Sequence, residues 1–231
     1  MEAPKKSWLE DLKNTSPNSE KSTSGFTSEL RNFIGVVAIL LPILVVLGGI
    51  VWRLPSGKGW YELIEPSISD YFDTPLRGVF VGLLMAISIF LFSYRFKILD
   101  NILTNVIAIL GLCIAFFPIT FGEKYLTVRW IHLISAFSFF CIMAYICLFL
   151  FTRFGEDPPT SKKLKRNKVY RVSGIVIAIC ALALLLIFAF IKEPIRTANK
   201  LILFPEVIGL WFFGFAWLVK GQMVKELWAD T

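Results

Sequence analysis

The sequence predicts an all-α fold, an integral membrane bundle of six transmembrane helices with both termini in the cytoplasm. Three observations predict it: six uncharged apolar runs of about 20 residues each, enough helix to cross a bilayer core of about 30 Å; the absence of polar–apolar alternation inside those runs; and an uneven distribution of Lys and Arg between the segments that join them. The 231 residues are 56% hydrophobic and have a mean hydropathy of +0.67, too apolar for a chain whose whole surface must be wetted. A β-barrel is excluded, because its strands would be about 10 residues long with one polar face.

Residues 1–31 are rich in Ser, Thr, Asn and Lys, with one apolar cluster at Trp8, Leu9 and Leu12, and are expected to be a mobile cytoplasmic segment. The first span, about residues 33–52, follows too much polar sequence to be a cleavable signal peptide and reads as a retained anchor. The remaining spans are expected at about 76–94, 98–121, 130–151, 172–191 and 201–219, followed by a short cytoplasmic tail, 222–231. With the amino terminus inside, 16 of the 24 Lys and Arg residues fall on cytoplasmic segments and 8 on outer ones, the asymmetry that orients short-looped membrane proteins. The same placement explains the net charge of +7 and argues against nucleic acid as a partner. The basic run Lys162, Lys163, Lys165, Arg166 and Lys168 is expected in a cytoplasmic loop touching anionic lipid headgroups.

Small residues recur at helix-packing spacing. Gly78, Gly82 and Ala86 share one face of the second span, and Gly174 and Ala178 one face of the fifth, so both faces are expected to pack closely against neighbours. Cys113, Cys141, Cys147 and Cys180 all lie inside spans, without a CxxC pair, and read as apolar packing residues.

Alternate crossing brings the densest polar residues to the outer ends of the spans. Ser69, Asp70, Asp73, Arg77, Arg129, His132 and Glu206 all reach that depth. A charged group within a span costs about 2.5–3.5 kcal/mol at the helix centre and less towards the ends, so such groups need partners. His132 and Glu206 are expected to face the bundle interior or a wet cavity, and Arg77 is the expected counter-ion of Asp73 or Glu206. The segment from Ser67 to Thr74 is expected to fold down as a short helical cap. Ile64 and Ile68 would share its face, Tyr71 and Phe72 would sit at the interface, and Pro75 would end it. Zinc hydrolysis calls for three protein ligands, commonly His, and the chain has only His132. No metal and no cofactor is therefore expected.

Three separated motifs occur in order: Ser67-Ile68-Ser69-Asp70-Tyr71-Phe72-Asp73-Thr74-Pro75-Leu76-Arg77 with Phe80-Val81-Gly82; Lys165-Arg166-Asn167-Lys168-Val169-Tyr170-Arg171 with Gly174; and Glu206 with Phe213-Gly214-Phe215-Ala216-Trp217-Leu218-Val219-Lys220-Gly221. Together they resemble a family of uncharacterised six-span bacterial membrane proteins, which implies a multi-pass location in the bacterial inner membrane. That family often has His or Tyr where Asp73 stands. A more distant likeness is to the ceramidase and progestin-receptor superfamily of membrane hydrolases, whose metal site uses Ser, Asp and three His; Ser69 and Asp73 match the spacing of its Ser and of a His four residues on.

The function expected first is non-enzymatic: a sensor, an accessory subunit, or a binder of a lipid or small ligand through the outer polar cluster, alone or as a homo-oligomer or with another membrane protein. The alternatives are a lipid-active hydrolase or transferase, with Glu206 or Asp73 as base and His132 as acid or ligand, and a transporter or oligomeric channel. Transport ranks lower because the span centres are nearly all Leu, Ile, Val, Phe and Ala, with Pro42 and Pro118 isolated.

Overall fold

The computed structural model describes residues 17–57, 59–95, 98–119, 126–154 and 159–227, and among them the chain forms helices and turns with no strand. The long apolar runs become α1 (Pro17–Arg53), α2 (Arg77–Ser93), α3 (Ile98–Phe116), α4 (Leu126–Tyr145), α5 (Ser161–Phe190) and α7 (Leu203–Lys220), with a short α6 (Glu193–Ala198) between the last two. Five of these are long and apolar enough to cross a membrane. The exception is α2, which has 17 residues, about 26 Å of helix at 1.5 Å per residue. The other five carry the long apolar stretches a helix needs in lipid, where backbone hydrogen bonds are satisfied within the helix and the side chains match the solvent.

Each long helix packs on the next in chain order, and α7 returns to pack on α1, so the six close into a ring. Closest approach comes at that last seam. A Cβ added to Gly35 of α1 would lie 2.7 Å from the Gly214 carbonyl oxygen of α7, and one added to Gly214 would lie 2.7 Å from the Gly35 oxygen. Gly174 packs α5 onto α4, where an added Cβ would meet the Ala144 carbonyl oxygen at 3.1 Å. Gly78 and Gly82, by contrast, have nothing within 4 Å of an added Cβ and do not carry the helix packing expected of them. Their side of α2 faces outward.

Several expected boundaries shift: α3 ends at Phe116 instead of 121, α4 starts at Leu126 instead of 130, and α1 and α5 start earlier still. Helix α1 begins at Pro17, inside the segment expected to be mobile, and Leu30 is already buried. Ser28 donates to the Gly221 carbonyl at 2.7 Å, tying that extension to the end of α7. The basic run at 162–168 is helical rather than a loop. It forms the first two turns of α5, capped by Thr160, whose hydroxyl oxygen accepts the Lys163 N–H at 3.2 Å. Within it Asn167 is buried and donates to the Thr152 carbonyl at 2.9 Å, while Lys165 and Lys168 stay exposed. Helix α4 passes into a single π-helical stretch, Ile146–Leu150.

The core is continuous from one end of the ring to the other. At the end where α7 finishes, Trp217 is fully buried among edge-on rings, with centroids 5.3 Å from Tyr94, 5.2 Å from Phe151 and 5.7 Å from Phe213. Such aromatic pairs add about 0.5–1.5 kcal/mol each beyond their burial. Lys220 lays its ammonium 5.3 Å from the Phe151 ring centre, and Asp100 pairs with Arg153 at 3.0 Å nearby. The opposite end is closed by the segment between α1 and α2.

Candidate site at the capped end of the bundle

That closing segment is built from short turns pinned by polar side chains. Ser67 Oγ accepts the Asp70 N–H at 3.1 Å, starting the 3-10 turn Ser69–Asp73. Thr74 ends it, its hydroxyl donating to the Tyr71 carbonyl at 2.8 Å and accepting the Leu76 N–H at 3.1 Å. Tyr71 is fully buried rather than interfacial. Its ring lies so close to α1 that a Cβ on Gly49 would come within 2.5 Å of Tyr71 Cε1. Ile68 is buried in the same way, whereas Ile64 lies before the turn and shares no helix with it. The segment is an ordered cap.

Three ties hold the cap to the start of α7. The Leu203 N–H donates to the Pro66 carbonyl at 3.1 Å, the Ile68 N–H donates to Glu206 Oε2 at 2.7 Å, and the Lys200 ammonium donates to the Ile64 carbonyl. Lys200 reaches that carbonyl from a left-handed backbone conformation, φ 50°, at the turn after α6. There the Leu201 N–H returns to the Arg196 carbonyl, a helix stop in which Gly usually holds the left-handed position. Burial pushes the Lys200 amine down from its ordinary value, with Glu65 opposing. At the α1 side, Arg53 pairs with Glu65, whose carboxyl burial raises in spite of that partner.

Behind the cap lies a cavity of about 480 Å³ bounded by the cap, α4, α5 and the α6–α7 corner. Its polar wall is Ser67, Ser69, Asp70, His132 and Glu206; its apolar wall includes Phe137, Phe140, Leu184, Leu185 and Phe188. The ring of Phe140 occupies space that any side chain at Gly209 of α7 would take. Arg129, Glu193 and Arg196 stand at the rim, with Glu193 bridging the two guanidiniums at 3.7 Å and 3.6 Å. Arg196 also lies 4.7 Å over the Phe188 ring. Burial pushes the Asp70 carboxyl up, against hydrogen bonds from Ser67 and with Asp73 and Glu193 adding to the rise.

His132 is 2% exposed and both ring nitrogens are engaged. Nδ1 lies 2.8 Å from the Phe117 carbonyl oxygen just past α3, and Nε2 lies 3.0 Å from Ser69 Oγ. A carbonyl only accepts, so Nδ1 carries the proton. In the neutral ring Nε2 is then the acceptor for the Ser69 hydroxyl.

Five of the seven residues picked out from the sequence therefore meet at one cavity: Ser69, Asp70, Arg129, His132 and Glu206. Asp73 and Arg77 do not. They form an exposed pair at 3.8 Å, and Arg77 is held by the Phe72 carbonyl at 2.6 Å and by the Phe72 ring at 4.4 Å. Glu206 is thus not paired with Arg77. Its partner is a backbone N–H, an acceptor role that a carboxyl oxygen can fill without a second charge inside the bundle. Sequence reasoning placed Ser67 in the cap, where its hydroxyl does meet a backbone N–H, but missed Glu193 and Arg196; their i, i+3 spacing across a turn is the signal that marks them. Among the described residues no three His, Cys, Asp or Glu side chains group as metal ligands. No family model, curated protein or solved structure matches this chain.

Proposed function

We propose that this chain is a six-span bacterial inner-membrane protein, both termini cytoplasmic, that binds an amphipathic small molecule or single-chain lipid in the capped cavity and serves as a sensor or accessory subunit. The observation that carries this reading is the division of one cavity into a polar head wall and an apolar body wall, with cations at the rim. Its volume, about 480 Å³, falls in the range of about 300–1,000 Å³ typical of small-ligand sites.

Six spans follow if α2 crosses as well. The ring order supports this, because α2 packs between α1 and α3 as each other long helix packs between its neighbours, and helices consecutive in chain order then alternate direction. The basic asymmetry supports cytoplasmic termini, which puts the cap on the outer face. Exposed Lys165, Lys168 and Arg171 at the start of α5 then lie where anionic headgroups would meet them.

A photoactivatable single-chain lipid tests the binding reading on protein in bilayer vesicles. Crosslinks should map to Phe137, Phe188 and their neighbours, and Ala136→Trp, which fills the cavity, should remove them. Labelling spread evenly over lipid-facing residues and indifferent to Ala136→Trp would overturn the reading.

A further inference from the structure

We propose that the cavity is also a site of acyl transfer, in which Ser69 is the nucleophile and His132 its general base, acting on carboxylic esters of single-chain amphiphiles. The inference rests on the binding reading above and adds a reaction to it.

Geometry carries it. Ser56, Ser88, Ser93, Thr104 and Thr152 each turn the hydroxyl back onto a carbonyl three or four residues earlier. Ser69 does not; it reaches an imidazole 63 residues away at 3.0 Å. That imidazole is oriented by the Phe117 carbonyl at 2.8 Å, so the basic nitrogen is the one aimed at the hydroxyl. Nucleophile, base and orienting acceptor thus stand in series, with a backbone carbonyl in the place a carboxylate takes in serine hydrolases. The series faces the cavity, since both Ser69 and His132 line it. An acyl chain lying along Phe137, Phe140 and Leu184 would leave its ester carbonyl at the polar wall.

The step balances without a metal or redox partner. As Ser69 Oγ bonds to the ester carbonyl carbon, its proton moves to His132 Nε2. The C–O bond to the alcohol then breaks, and that alcohol leaves with the Nε2 proton. Water, deprotonated by the same nitrogen, attacks the acyl-serine; the Ser69 Oγ–acyl bond breaks, the Nε2 proton returns to Oγ and the carboxylic acid is released, or a second alcohol takes the place of water and carries the acyl group away.

The test uses the full chain in detergent micelles and two probes: hexadecyl fluorophosphonate, which phosphonylates activated serines, and a pyrene-labelled lysophospholipid, whose fluorescence reports binding. The expected result is one phosphonyl adduct, mapped to Ser69 by peptide mass spectrometry, absent from Ser69→Ala and formed about 100-fold more slowly or worse in His132→Gln, the usual size of general-base assistance. Mapping on the unmodified protein decides the matter even where a variant fails to fold. Pyrene-lipid binding with no adduct on Ser69, or with an adduct on another serine, overturns the nucleophile and leaves the binding reading intact. Failure of the pyrene lipid to bind overturns the binding reading and this proposal with it. An adduct on Ser69 that forms equally fast in folded His132→Gln removes His132 from its role and overturns the proposal as stated.

Discussion

Glu206→Leu tests the cap at its central tie. Leucine suits a helix in an apolar bundle, so the substitution costs little in packing, but it removes the acceptor of the Ile68 N–H, now at 2.7 Å. Ile68 is buried, and the substitution leaves its N–H without that acceptor while the cap is closed. An unsatisfied buried group of this kind costs about 1–3 kcal/mol. At 1.4 kcal/mol per factor of ten, cap opening becomes about 5- to 150-fold more frequent. The two other ties, at Pro66 and Ile64, bypass Glu206, so the effect should stay local. Glu206→Gln keeps an oxygen acceptor at the same position and should raise opening by less than about tenfold. Hydrogen exchange read by mass spectrometry over residues 64–74 in micelles measures this directly. Exchange in Glu206→Leu equal to that of the unmodified chain would refute the reasoning, because the tie would then contribute nothing to holding the cap.

Further outcomes follow from the same structure. Burial raises the Asp70 carboxyl above its ordinary 3.8, so the folded state holds a proton that the unfolded state has lost. Stability is then greatest below 3.8 and declines as pH rises from there through the raised value. The thermal midpoint should fall across that window, and Asp70→Asn should flatten the fall; an unchanged slope would contradict the burial argument. Gly35→Ala forces a methyl to within 2.7 Å of a carbonyl and of Leu218, an overpacking that costs about 1–3 kcal/mol of stability, whereas Gly82→Ala, with open space around it, should leave the unfolding free energy within about 0.5 kcal/mol of the original. Equal behaviour of the two would show that the α1–α7 seam is not tight. A cytoplasm-only reporter placed after Thr231 should be active and one inserted near Gly57 silent; the reverse pattern would invert the topology.

The apolar runs were legible because transfer into lipid is decided residue by residue, and a long uncharged run has few other homes. The extension of α1 back to Pro17 was not, since it is polar and gains its place partly through Ser28, whose acceptor is Gly221. Charge density made residues 162–168 look like solvated loop, yet Lys and Arg are good helix formers and Thr160 supplies the cap. Depth along the spans gathered Ser69, Asp70, Arg129, His132 and Glu206 at one end, but depth says nothing of azimuth, and azimuth separates Arg77 from Glu206. Pairing by opposite charge was the wrong rule for Glu206, because the free backbone N–H that meets it is created by the turn at Ile68. Spacing found Gly174 and misjudged Gly78 and Gly82, while Gly35 and Gly214 stand on different helices and show no common spacing to find.

The seam between α1 and α7 also sets an order on biosynthesis. When α1 enters the membrane, the helix that covers its Gly35 face lies far down the message, and until it arrives that face must be held by lipid or by an insertion factor. The cap waits on the same event, since Pro66, Ile68 and Ile64 are all tied by residues between Lys200 and Glu206. A ribosome halted before that stretch leaves a cap that can rest on α1 and α4 but lacks its three ties to residues 200–206. Arrested chains released at successive lengths, probed by protease from the cap side, should lose their cleavage sites in 64–74 only once α7 has emerged.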